Sequence, residues 1–437
     1  MAGPSSSGGP SAQLLDTRGV QVFGTTVTAE LWRLPNALGG STYAQWMAPN
    51  GTTARPAVIL TRPYDGIDWT GEAVDERWAS RPGAATTGYF HDDDEEPSFT
   101  PGGSQISYRV SSVQEVANDA ANILFNQMGV LAVFGRFYTG GSVEDDVQDM
   151  VAGTVFLQTH PRVIPDRVGI FGGSWGGFEA LYGAAYAPLG AQPMVGVALF
   201  PAADFEALTQ WVQTGVFAAT TLPARQDQFR AFYDPYLRRI LATVGTGPAQ
   251  DFTGYRAVDL VTRAPIPWLV VHDSWDLLIP FAFSQALVAA DPVHVNPLWY
   301  RHDQPVNQDT MAMDHGPLGA PTVMAAYQTF ALAFLELALE PGPSTTVAIP
   351  YGAQDLANHL LETRVQQAAG ADVSFVVERL LQLCDPRLLM VDMTPQNPLP
   401  QMNGRALVAG GINAVWGTTL TEATVEAQLT TTGLPPP

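Results

Sequence analysis

Four short apolar runs dominate the chain: "VLAVFG" at 130–135, "RVGIFGG" at 167–173, "MVGVALFP" at 194–201 and "PWLVVHD" at 267–273. None alternates polar with apolar, so each reads as a strand buried on both faces, the mark of a parallel sheet. Between and around them lie segments of helical spacing: "SVQEVANDAANILFNQMG", "SVEDDVQDMVAGTVFLQTHP" with Ser142 as its N-cap, and "FSQALVAAD". Strands that alternate with helices predict an α/β class with a mostly parallel, doubly wound sheet. Residues 19–60 supply its first strands, in "GVQVFG", "TVTAELWRLP", "TYAQWMAP" and "PAVILTRP", and "PLWYRHD" near 297 supplies a late one.

Other stretches break the alternation. Residues 65–112 are polar and rich in Gly and Pro, and read as a long surface insertion containing the acidic run "HDDDEEP" at 91–97. Residues 202–263 are helical and aromatic, and an insertion there is expected as a cap over the carboxyl ends of the strands, where open α/β sheets bind ligands. The predicted organisation is therefore a flexible tether at 1–18, a core at 19–201 and 264–340, the cap at 202–263, and an extension at 341–437 packed on the core.

Composition narrows the functions open to such a chain. Only 14% of the 437 residues are charged, against roughly 25% in ordinary soluble domains. With 21 basic and 42 acidic residues the formal charge is −21, and every basic residue is Arg. Nucleic acid is excluded as a partner, because phosphate binding needs clustered positive charge. A single cysteine, Cys384, gives no disulfide framework and no thiol cluster for a metal, and reads as a small buried apolar residue. There is no apolar run long enough for a membrane span. The opening "MAGPSSSGGPSA" has the composition of a tether that often follows a removed export signal, so an extracellular or periplasmic location is expected.

The sharpest chemical signal lies in "FGGSWGGFEALYGAAYA", where Ser174 stands in Gly-x-Ser-x-Gly between a strand and a helix. A serine on such a strained turn needs small residues two before and two after it, here Gly172 and Gly176, to relieve crowding of strand against helix. Its hydroxyl becomes a nucleophile only when a histidine takes the proton and an acid orients that histidine. The acid is Asp276 in "HDSWDLLIP", beyond the end of a buried strand, with Asp273 as its competitor. The base is His315 in "DHGPLGAPT": of the other histidines that follow Asp276 within reach, His294 begins a strand and His302 is still on one. His272, at the end of the strand leading to Asp276, reads as structural.

Ser174, Asp276 and His315 follow the chain order of the α/β-hydrolase superfamily, which residues 40–340 resemble. "FGGSWGG", "HDSWDLLIP" and "DHG" are similar to the prolyl oligopeptidase group, although Asp273 stands where that group has glycine. "ILTRPYDGID" and "FGRFYTGGSVEDD" resemble the cocaine esterase and X-Pro dipeptidyl-peptidase group. That resemblance implies an oxyanion hole made by the Tyr64 hydroxyl and the Trp175 backbone N–H. "GGSWG" also resembles the elbow of proline iminopeptidases, but their separate oxyanion motif is missing.

The expected protein is thus a serine hydrolase that cleaves a carboxylic ester through an acyl-enzyme on Ser174, without a cofactor or a metal. Its partner is a small ester or peptide substrate. Peptidase or amidase action and acyl transfer would use the same triad, and a non-catalytic binding protein is the reading from another class. Trp211, Phe232 and Tyr236 of the cap are candidates to line an acyl pocket or simply to pack. The run at 91–97 could collect calcium, but without EF-hand spacing it reads as a solvated acidic loop. Asp145 and Asp149 share a helical face as dipole partners, with no catalytic role.

Overall fold

The computed structural model describes residues 11–62, 111–138, 141–214, 226–273 and 278–300, Asp276, and short pieces near 86–91, 331–339, 390–403 and 419–427. Tyr64, His302, His315, Cys384, the acids at 92–96 and the expected tail helices at 354–369 and 373–383 lie outside them. The chain divides into two compact units, one of residues 1–172, 179–193 and 231–252, the other of residues 173–178, 194–230 and 253–437.

In the first unit, β1 (Gln13–Val22) and β2 (Thr25–Pro35) form a hairpin through Phe23 and Gly24, both with positive φ, as a primed two-residue turn requires. β1 starts inside the stretch expected as a tether, which therefore ends before residue 13. Next come β3 (Ser41–Ala48), β4 (Arg55–Thr61), β5 (Gly129–Phe134) and β6 (Val163–Gly173). Their order is β1-β2-β3-β5-β4-β6, antiparallel as far as β5, while β4 lies parallel to both β5 and β6. All six residues of β5 are buried, as its unbroken apolar run requires. Gly129 lets Trp46 lie flat on the strand, where a Cβ would come within 2.3 Å of the ring.

The expected single helix at 112–129 is two: α1 (Val113–Asp119) and α2 (Ala121–Phe125). The break follows Asn118 and Asp119, whose short polar side chains compete with the helical backbone. α3 (Val143–Thr159) opens on a capping box, in which Ser142 Oγ accepts from the Asp145 N–H and the Asp145 carboxylate accepts from the Ser142 N–H.

The second unit holds the parallel strands β7 (Val195–Leu199), β8 (Trp268–Asp273) and β9 (Val295–Tyr300), with β8 in the middle. Trp268 is fully buried against Gly196. α4 (Trp175–Tyr186) follows β6, and the segment expected as a cap carries α5 (Phe205–Gln213), α6 (Gln226–Val244) and α7 (Ala257–Arg263). Of these helices, α4 from residue 179 and α6 from residue 231 belong to the first unit. α8 (Phe281–Ala290) fills the β8–β9 crossover. The class is α/β, with β4 parallel to β5 and β6 in the first unit and β8 parallel to β7 and β9 in the second. Among the described residues no helix is long and apolar enough to cross a membrane.

Candidate active site

Ser174 has φ of 57°, in the left-handed region that a β-carbon disfavours, at the single residue between β6 and α4. Backbone bonds hold it there. Its N–H donates to the Leu199 carbonyl at 2.9 Å, and its own carbonyl accepts from the Gly177 and Phe178 amides at 3.0 and 3.3 Å. Close approaches fall on Gly173 and Gly177, neighbours of the two motif glycines. A Cβ on Gly173 would meet the Phe200 ring at 3.3 Å, and one on Gly177 would meet Pro201 at 2.8 Å.

Phe200 itself has φ of 36°, uncommon for a bulky residue, and its N–H donates to the Val271 carbonyl at 2.6 Å. These two bonds, Ser174 to Leu199 and Phe200 to Val271, tie the serine to the carboxyl end of β7 and β7 to β8. The sequence carries no signal for this, because nothing in "LFPAAD" marks a left-handed phenylalanine.

Trp175 is buried, with its ring against Phe178 at 4.5 Å and stacked on Phe205 at 5.8 Å; Phe205 in turn stacks on Tyr255. Its side chain is therefore a packing element. Its backbone N–H lies in the first turn of α4, at the positive end of the helix.

Asp276 lies three residues beyond β8 and is 8% exposed. Oδ1 accepts from the Leu278 and Ile279 amides at 2.9 and 2.8 Å, which fixes the carboxylate in its loop. Oδ2 points toward His272 Nε2 at 3.5 Å. That nitrogen is already committed, since at 3.0 Å from the Ile279 carbonyl it must be the donor, and Nδ1 meets Ser284 Oγ at 2.7 Å. His272 is a buried strut, as the sequence suggests. Ser174 follows the carboxyl end of β6 and Asp276 the carboxyl end of β8, the ends of strands at which open α/β sheets bind ligands. Tyr64 and His315, the other proposed members, lie outside the described residues.

The cap aromatics divide between packing and partial exposure. Tyr236 is buried, its hydroxyl 3.0 Å from that of Tyr138 and its ring against Phe232 and Phe137, whereas Phe232 and Trp211 are half-buried.

The acids of α3 need a correction. Asp145 caps the helix and pairs with Arg136 at 3.1 Å, but Asp149 is wholly buried. It accepts from Arg136 Nε at 2.8 Å, from the Arg136 N–H and from Asn36 Nδ2, and so anchors the loop after β5. Burial pushes its carboxyl up to about 7 against the pull of Arg136. Helical spacing gave its face but not the loop that covers it. A further acid went unnoticed in the sequence, Glu179 on α4, fully buried beside Asp146. Burial and then the Asp146 and Asp149 charges raise its carboxyl well above the usual range. Gly135 makes room for both, since a Cβ there would lie 2.1 Å from Asp146 Oδ1 and 2.8 Å from Glu179 Oε1.

No family model and no curated protein matches the chain. Among solved structures it is similar to a puromycin hydrolase, at 15% identity and a TM-score of 0.46, over 74% of this chain and 41% of that one. It is also similar to a thermophilic carboxylesterase cloned from a metagenomic library, at 16% identity and a TM-score of 0.44, over 76% of this chain and 92% of the other. An acylaminoacyl peptidase gives 14% identity and a TM-score of 0.44, over 76% of this chain and 44% of that one. The chain thus spans about two fifths of the length of the puromycin hydrolase.

Proposed function

We propose that the protein is a serine hydrolase acting on carboxylic esters. The observation that carries this reading is the left-handed Ser174 wedged between a buried parallel strand and a helix, with small residues where strand and helix crowd.

In the proposed reaction His315 takes the Ser174 proton as Oγ attacks the ester carbonyl carbon. The carbonyl π electrons move onto oxygen, and the oxyanion is held by the Trp175 N–H and the Tyr64 hydroxyl. The oxyanion collapses, the bond to the alcohol oxygen breaks, and His315 returns the proton to the departing alcohol. Water, deprotonated by His315, then attacks the acyl-enzyme and releases the acid and Ser174. Asp276 orients His315. The backbone donors on Oδ1 support this role, because they fix the orientation of the carboxylate in its loop. Every group in the scheme comes from the chain itself, so it calls for no cofactor.

Labelling with a fluorophosphonate, followed by peptide mapping, tests the reading. One adduct on Ser174, absent from Ser174→Ala and from His315→Ala, is expected. A folded protein that takes no adduct would sink it and favour a binding protein on a hydrolase fold. Turnover of an aryl ester against a prolyl anilide then tests bond preference, and cleavage of the anilide alone would replace the esterase by a peptidase.

A further inference from the structure

β1 is the end strand of the order β1-β2-β3-β5-β4-β6, with β2 paired to it on one side. In an antiparallel pair the backbone groups of alternate residues face the partner strand. From the Val22–Thr25 pair at the hairpin turn, those of Val22, Val20 and Arg18 face β2, while those of Gln21, Gly19 and Thr17 face outward. All of the outward residues are exposed. Such an edge is a template for another strand, and proteins commonly guard it with lysine, proline or a surplus of charge. β1 has no proline, its charged residues Asp16 and Arg18 are of opposite sign, and the whole chain has no lysine.

A side chain takes the place of those guards. Gln114 on α1 lies against Gln21 as a neighbouring strand would: Oε1 accepts from the Gln21 N–H at 2.9 Å, and Nε2 donates to the Gln21 carbonyl at 2.7 Å. Nε2 also donates to Asn118 Oδ1 at 2.8 Å, one helical turn on, so both amide hydrogens are committed and the side chain is held in place. Nearer the start of β1, Asp16 Oδ1 accepts from the Thr17 N–H at 2.7 Å, and the register with β2 shifts between Leu14 and Asp16.

We infer that Gln114 is an autoinhibitory contact, which keeps the β1 edge from pairing with β1 of a second copy of the chain. A copy fits because Thr17 and Gln21 flank Gly19 symmetrically. In an antiparallel pair with its two-fold axis at Gly19, Thr17 of each copy meets Gln21 of the other, and the glycines face each other with no side chain between them. The Gln21 groups held by Gln114 are the ones that this pairing needs. The inference is independent of whether Ser174 is catalytic.

Sedimentation velocity of the full chain over a range of concentrations tests it, in about 0.1 M salt so that the formal charge of −21 is screened beyond about 10 Å. Gln114→Ala frees Gln21 and puts a better helix former on α1, and should lower the self-dissociation constant at least about tenfold relative to the parent. Adding Thr17→Pro should return association to the parent level, since proline removes an outward N–H that the second strand needs and takes none from the β1–β2 ladder. Circular dichroism establishes that both variants are folded. Hydrogen exchange reads the same contact without the proline: in Gln114→Ala, protection over residues 13–22 should rise with concentration. An unchanged dissociation constant in Gln114→Ala, or association that leaves exchange over 13–22 unaltered, would each overturn the inference.

Discussion

Glu179 lies fully buried with no hydrogen bond of good geometry to either oxygen, and the groups facing it are Asp146, Asp149 and Thr61. Its folded form holds a proton more tightly than the unfolded chain does. Stability from this group is therefore greatest at low pH, and it drains away as pH rises above about 4.3, until the folded carboxyl itself ionises. Glu179→Gln removes that titration. The difference in unfolding free energy between variant and parent should grow in favour of the variant as pH rises above about 4.3, by up to about 1.4 kcal/mol per pH unit, until the folded carboxyl ionises. Urea melts across that range measure it, and parallel pH profiles would refute it. Ser174 makes the opposite kind of bargain. Its φ of 57° suits glycine better, so Ser174→Gly should stabilise the fold by about 1 kcal/mol while abolishing the proposed hydrolysis, and an unchanged urea midpoint would contradict the strain. Of these two residues only Ser174 was legible in the sequence, because its motif is local. The burial of Glu179 depends on Asp146, 33 positions away, which no spacing rule reports.

At the scale of elements, the parallel strands are built to let aromatic side chains cross them. Gly196 on β7 lies under Trp268 of β8, where a Cβ would sit 2.1 Å from the ring. Gly196→Ala should therefore cost about 1–3 kcal/mol by overpacking, seen as a lower thermal midpoint, whereas a neutral result would mean that Trp268 can tilt away. The continuous apolar runs and Ser142 before α3 were readable because strand burial and capping depend on neighbours in sequence. Two features were not. β1 is polar and exposed along much of its length, so its first half resembles a tether, and only pairing with β2 makes it a strand. The break at Ala120 falls inside a stretch of good helical spacing, where the apolar pattern gives no warning.

For the whole molecule, the formal charge of −21 is carried by a chain with few charges of either sign. Like charges on a folded surface repel, and added salt screens them over a Debye length of about 10 Å at 0.1 M and about 3 Å at 1 M. Raising sodium chloride from low ionic strength toward 1 M should raise the thermal midpoint by a few degrees, and a midpoint that falls would place the dominant electrostatics in ion pairs such as Arg136 with Asp149. The two-unit division was only partly foreseeable. The chain was expected to split into core and cap, but α6 belongs with the first unit from residue 231 onward, and residues 173–178 belong with the second. That last assignment bears on how the protein comes into being. The serine turn is held by the Leu199 carbonyl and by Pro201 packed on Gly177, and the strand end carrying Leu199 is braced by Val271. A growing polypeptide that has left the ribosome only as far as α4 contains Ser174 but none of these braces. The serine turn thus acquires its shape only when chain made much later folds back against it, so on the proposed reading an unfinished protein would carry no active nucleophile.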